Sequence, residues 1–253
     1  MNKIILGFMI FAFHLSATEV YTTFNIQAEK SASLAFYSSG IVKNVLVDIS
    51  SVVKKGDKLI ELQNDDLKAS LKIAEASLEN AKLVLKFTKR DYDRQLLIKD
   101  LLDEESFDRY ELNYEKAQVD FSKAKANLNL AQSFLDRSKI LAPFDGIIFE
   151  KDVDVGDVVS GMMLKTVLKI QSKNRKKLIL EFDQKYWKDV KVGDDVKYTV
   201  NGDSKTYMGK ISKLYPYANS NNRKIKAQVL VDDFIVGLFG DGYIIVNDKN
   251  DSK

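Results

Sequence analysis

The 253-residue sequence predicts a mainly β protein interrupted by a helical hairpin, and three observations carry that reading. Residues 64–138 hold no glycine or proline and place apolar side chains at alternating steps of three and four. The stretches on either side are short apolar runs punctuated by Gly, Ser and Gly-Asp turns, as strands are. Two prolines in the whole chain leave long elements unbroken. With 45% apolar and 30% charged residues, the chain has enough apolar surface for a core, which argues against disorder.

Residues 1–17 read as a cleaved leader. Lys3 supplies the positive start, Ile4–Leu15 an apolar run broken only by His14, and Ser16-Ala17 the small residues of a cleavage site. The run is shorter than the ~20 residues a membrane span needs, so an exported protein is expected. With no cysteine after the leader, no anchor of the bacterial lipoprotein type is expected. The single histidine, His14, leaves with the leader, and the chain has no cysteine at all. The exported part then lacks the side chains that most often serve as general base, thiolate nucleophile or soft metal ligand. An enzyme is disfavoured, and no cofactor or metal is expected. A balance of 39 basic to 36 acidic residues, net +3, argues against a nucleic-acid partner.

The helical segment carries two apolar seams. Leu67, Leu71, Ala74, Leu78, Ala81, Leu85, Thr88 and Tyr92 form the first; Phe107, Tyr110, Tyr114, Ala117, Phe121, Ala124, Leu128, Ala131 and Leu135 form the second. A period of 3.5 predicts a left-handed coiled coil. Folding the segment back about residue 101 sets Leu67 opposite Leu135, Leu71 opposite Ala131, Leu78 opposite Ala124 and Leu85 opposite Ala117. In most of the middle layers a large side chain then faces alanine, a mirror pairing that a dimer through the same seam would not explain. Asp103 reads as the N-cap of the second helix, with Glu104 and Glu105 in its first turn. At 1.5 Å per residue, an arm of about 36 residues projects roughly 54 Å.

The flanking segments repeat. Gly40-Ile41-Val42 leads into a strand and then Gly56-Asp57; Gly146-Ile147-Ile148 leads into another and then Gly156-Asp157. Two half-motifs around a hairpin predict one small β-sandwich built from both. Asp152, Asp154 and Asp157 lack the glycine position and closing glutamate of an EF-hand, and Gly240-Asp241-Gly242 precedes a strand, not a helix, so it forms no dinucleotide loop.

The split half-motif around a hairpin, with Ala142-Pro143-Phe144-Asp145-Gly146 at the helix exit, resembles the periplasmic adaptor (membrane fusion protein) family of tripartite efflux pumps, resistance-nodulation-division type. The resemblance spans roughly residues 22–247 and implies a split lipoyl/biotinyl-like sandwich followed by a β-barrel. It places an N-terminal strand region at 18–34, the sandwich at 35–63 and 138–167, the hairpin at 64–137, the barrel at 168–247 and a disordered tail at 248–253. Within the barrel, Leu178–Phe182, Tyr207–Ile211, Arg223–Val229 and Gly240–Val246 are expected strands, and Gln184–Val190 a short helix with Trp187 in the core. The turn that carries the modified lysine in true lipoyl carriers is replaced by the hairpin.

The resemblance also implies partners: an inner-membrane efflux transporter, an outer-membrane channel, and further copies of the chain in a hexameric ring in the periplasm, exporting small toxic compounds. An adaptor for an ATP-driven or type I secretion exporter is one alternative, a structural coiled-coil protein without a pump another. In the family the tip carries an Arg, a Leu and a Ser. Here Leu96 takes the Leu position, Asp103 replaces the Ser and can still cap, and Tyr92 takes the Arg position with Arg94 two residues on. The expected channel-binding residues are Arg94, Leu96, Leu97, Leu101, Leu102 and Asp103. Since the chain stops at Lys253 shortly after its last expected strand, a membrane-proximal domain is expected to be absent or vestigial.

Overall fold

The computed structural model describes residues 17–163 and 165–247; the expected leader, apart from Ala17, and the expected tail lie outside them. In chain order the elements are β1 (Ala17–Ala28), β2 (Ser31–Leu34), β3 (Gly40–Val45), β4 (Val52–Val53), β5 (Lys58–Leu62), α1 (Asp65–Leu96), α2 (Glu104–Arg137), β6 (Lys139–Leu141), β7 (Gly146–Lys151), β8 (Val158–Val159), β9 (Leu168–Gln171), β10 (Lys176–Asp183), β11 (Asp195–Val200), β12 (Thr206–Ala218), β13 (Lys224–Val231) and β14 (Phe239–Asn247). They form two compact units, one from residues 32–171 and one from the chain on either side of it.

The outer unit is a closed barrel in the order β1-β10-β13-β12-β11-β14. Period-two alternation sends Val20, Thr22, Phe24 and Ile26 of β1 inward, to meet Leu178, Leu180 and Phe182 of β10 and Val196, Tyr198 and Val200 of β11. The two glycines of Gly240-Asp241-Gly242 make room for this core. A Cβ at 240 would strike the Thr199 carbonyl oxygen and then the Phe24 ring, and one at 242 the Lys197 carbonyl oxygen and then Tyr198. Three expectations change here. Residues 17–28 are a barrel strand, not a separate region, because β1 alone bridges β10 and β14. Leu168–Gln171 pairs with β7 and belongs to the sandwich. Only Gln184–Tyr186 is helical in the expected short helix, as one 3₁₀ turn, and Trp187 after it is 64% exposed instead of core.

The inner unit contains two four-stranded sheets, β6-β5-β3-β8 and β2-β9-β7-β4. Each takes two strands from before the helices and two from after, so neither half closes a core alone. Gly40 pairs with Val159 and Gly146 with Val53, so the two halves exchange their short strands reciprocally. Between them lie Val42, Val53, Leu59, Ile60, Leu62, Ile140, Ile148, Leu168 and Ile170, all buried.

One turn recurs four times. Its fourth residue accepts a side-chain hydrogen bond from the backbone N–H of its first: Asp57 from Lys54 (2.8 Å), Asp157 from Asp154 (2.9 Å), Asp194 from Lys191 (2.7 Å), and Ser51 Oγ from Asp48 (2.9 Å). Its third residue is left-handed, at φ 90°, 95° and 99° for Gly56, Gly156 and Gly193 and 71° for Ser50. Each turn clasps one buried residue by two backbone bonds. Gly56 N–H donates to Ala142 O and Ala142 N–H to Asp57 O; the same exchange joins Gly156-Asp157 to Val42, Ser50-Ser51 to Ile148, and Gly193-Asp194 to Ile211. The structural counterpart of Gly156-Asp157 is therefore Ser50-Ser51, which packs on the matching residue of the other half, and not Gly56-Asp57 as the motif spacing suggests.

The helices leave this unit side by side and antiparallel: Asn64 bonds Ser138 at the foot, and Tyr92 stacks on Tyr114 near the far end. On α1 every seam position from Leu67 to Tyr92 is partly buried; on α2, Phe107, Ala117, Ala124 and Leu135 are fully buried. At the foot, Asn64 Nδ2 donates to Glu61 Oε1 (3.1 Å) and Ser138 Oγ (3.0 Å), and Ser138 Oγ donates to Leu135 O (2.6 Å). Lys58 Nζ donates to Glu61 Oε2 at 2.9 Å. The bonds from Lys58 and then Asn64 outweigh desolvation and pull the Glu61 carboxyl down to about 2.

Two outcomes are expected. Ser50→Gly should raise stability by about 0.5–1 kcal/mol, the relief of a left-handed Cβ less the added chain entropy of glycine, read as a higher urea midpoint. Glu61, lower in the folded state than its unfolded value near ~4.3, adds stability above that pH that drains away as pH falls toward 2. Melting temperatures of Glu61→Gln should show less acid loss than wild type across that window.

Candidate partner-binding site

The far end of the helical pair is set by local backbone chemistry. α1 runs to Leu96, with Leu97 as its C-cap and the Ile98 N–H bonded to Gln95 O at 3.1 Å. Lys99–Leu101 makes one 3₁₀ turn, and Leu102 extends (φ −99°, ψ 150°) to deliver Asp103 to the start of α2. Asp103 Oδ1 accepts from Ser106 N at 2.8 Å, satisfying one of the free amides of the first turn. Bonds from the Ser106 hydroxyl and amide hold the Asp103 carboxyl below the usual range, and Glu104 and Glu105 complement the same helix end.

Beneath the turn sits an aromatic plug. Tyr92 packs on Phe107 (centroids 5.8 Å) and Tyr114 (5.2 Å), and Lys99 Nζ lies 4.4 Å from the Phe107 ring centre. Above it the leucines face water: Leu97 and Leu101 are each 85% exposed, Leu96 is about half exposed, and Leu102 is half-buried. Arg94 pairs with Asp91 one turn back. Ile98, 44% exposed, belongs to the same apolar patch and was missed by residue-by-residue matching. The unbroken run Leu96-Leu97-Ile98 at a surface turn was the signal that could have found it.

The acids singled out elsewhere are occupied in turns: Asp154 also pairs with Lys151 at 3.2 Å, and Asp157 caps its own turn. Among the described residues, no cluster of three or more His, Asp or Glu could hold a metal ion, and no helix is long and apolar enough to cross a membrane.

Residues 30–170 match the CzcB-like, barrel-sandwich hybrid domain. The chain is 25% identical over 214 residues to an uncharacterized protein of Haemophilus influenzae, covering 84% of this chain and 52% of that one. It is 34% identical over 110 residues to the multidrug resistance protein MdtA of Escherichia fergusonii, covering 43% of this chain and 26% of MdtA. The chain thus spans about half the length, or less, of these relatives. A MacA–MexA chimeric protein containing the Pseudomonas aeruginosa MexA α-hairpin domain shares the fold, with TM-score 0.76 at 21% identity over 91% of this chain and 83% of that one. The chain belongs to the CzcB-like barrel-sandwich hybrid family.

Asp103→Ala should cost about 1 kcal/mol and fray the first turn of α2, while Asp103→Ser keeps the cap. Hydrogen exchange of the Ser106 amide reads the difference: fast in the alanine variant, protected in the serine one.

Proposed function

We propose that this chain joins an inner-membrane efflux transporter to an outer-membrane channel in the periplasm, with α1 and α2 as an antiparallel coiled-coil arm whose tip docks on the channel. The observation that carries this is the pair Leu97 and Leu101, each 85% exposed at the far end of the helical pair, more than any other large apolar side chain on it. Apolar side chains held out in water are costly unless a partner covers them. Arg94, Leu96, Leu102 and Asp103 frame that pair, with Asp103 acting through the helix start it holds. The name of the MdtA relative, a multidrug resistance protein, supports small toxic compounds as the exported cargo.

Self-assembly, as a ring of six, rests on the flanks of α1. One flank carries Lys68, Lys72, Glu75, Glu79, Lys82, Lys86, Lys89 and Asp93, all charged. Between Asp66 and Asp91 the opposite flank reads Ser70, Ile73, Ser77, Asn80, Val84 and Phe87, without a charge, and Ile73, Val84 and Phe87 are exposed there. An uncharged, part-apolar flank is the side that a neighbouring copy can cover without desolvating ions.

The chain has no native cysteine, so single replacements report cleanly. Leu97→Cys, cross-linked in cells with a short bifunctional reagent, should capture an outer-membrane channel, and Val84→Cys should capture another copy of the chain. An exported, folded Leu97→Cys protein that captures no channel would overturn the docking reading in favour of a structural protein without a pump.

A further inference from the structure

The barrel has an opening that neither the arm nor the sandwich accounts for. Pro216 lies between Tyr215 and Tyr217 in β12, and proline cannot donate into a ladder. The register slips there: Leu214 faces Ala227 and Ala218 faces Ile225, four steps along β12 against two along β13. Such a bulge lifts Tyr215–Tyr217 away from the neighbouring strand. Across from it, the chain leaving β10 turns through Gln184–Tyr186, with Asp183 capping the Lys185 N–H at 2.9 Å, and presents Trp187.

The space between is a cleft of about 720 Å³, within the range of small-molecule sites. Its floor is core, the buried Phe182 and Val190, and its lips are Trp187 and Tyr217, 64% and 56% exposed. Lys185 is the one charged residue lining it; no carboxylate does. Lys185, whose Nζ sits 4.8 Å from the Tyr186 ring centre, and Lys188, whose Nζ sits 5.3 Å from that of Trp187, have no ion-pair partner among the described residues. Asp183, the nearest acid on this segment, is committed to its cap. An apolar floor between aromatic lips, with an unpaired ammonium at the rim, complements an apolar body bearing one negative charge and disfavours a cation of the same shape.

We propose that this cleft binds a small amphipathic anion, its apolar body on Phe182 and Val190 between Trp187 and Tyr217 and its carboxylate or sulfonate against Lys185. The site lies wholly in the barrel and stands independently of the adaptor reading.

Trp187 is the chain's only tryptophan, so emission excited at the red edge of the absorption band, where the eleven tyrosines barely absorb, reports this cleft alone. Decanoate, decyltrimethylammonium and decanol, each below its micelle concentration, serve as probes, with calorimetry as a second readout. Decanoate should change the emission saturably, with the cation binding about tenfold more weakly. Lys185→Glu should reverse that order, and Tyr217→Ala should weaken decanoate several-fold, in proteins whose circular dichroism and melting match wild type. No saturable response to decanoate by either readout, equal binding of all three probes, or decanoate binding unchanged in both variants would each overturn the proposal.

Discussion

The structure depends most on a clasp: a four-residue turn, sealed by its own side chain, that grips one buried residue through two backbone hydrogen bonds. In the inner unit two of these clasps act reciprocally. Ser50-Ser51, from before the helices, holds Ile148 from after them; Gly156-Asp157, from after, holds Val42 from before. Val42 and Ile148 are both buried, so these bonds lie where water does not compete and an unmade donor or acceptor would be costly. Each half therefore completes the other, and the chain that leaves as α1 must come back as α2 at the place it left.

That constraint explains the polar knot at the foot of the helices. Asn64, Glu61 and Ser138 are buried together where both helices depart, and a buried carboxylate is tolerable only when its oxygens are spoken for, here by Lys58 and Asn64. The same logic runs outward along the chain. β1 pairs with both β10 and β14, so the barrel closes only after the sandwich has been traversed, and the sandwich only after the helices. The fold is a nest of insertions, each opened by an element whose partner comes much later.

Nesting also decides what could be read from the sequence. The helical seams were legible because their period depends on residues close in the chain; every position of α1 named from spacing is partly buried, and only Asp91 and Gln95 join them from off the seam. Three of the four clasps announce themselves as Gly-Asp. The fourth hides, because Ser50 accepts a left-handed backbone and Ser51 replaces the aspartate. The place of β1 in the barrel was illegible, since its partners are more than a hundred residues away. Trp187 misled for a related reason: it follows a capped turn at the barrel's rim, where the strand alternation that sends side chains inward has already stopped. At the far end, Leu96, Leu97, Leu101, Leu102 and Asp103 lie at the break between the two helical runs, which spacing alone locates, but the pairing of Arg94 with Asp91 needed coordinates.

The division of labour along the helices separates folding from function. The fully buried residues all lie on α2, and two of them are alanines, Ala117 and Ala124. Leu85 and Leu78, their opposites by the mirror count, are only partly buried, as expected where a long side chain covers a short one and leaves its own outer edge wet. Cohesion in the arm thus comes from a thin seam, from the aromatic plug under the tip and from the knot at the foot. None of the three involves Leu97 or Leu101. Their exposure adds nothing to the core and lowers solubility, so folding gives no reason for leucine at either position. A surface that burdens the free chain is the one that the proposed docking would cover.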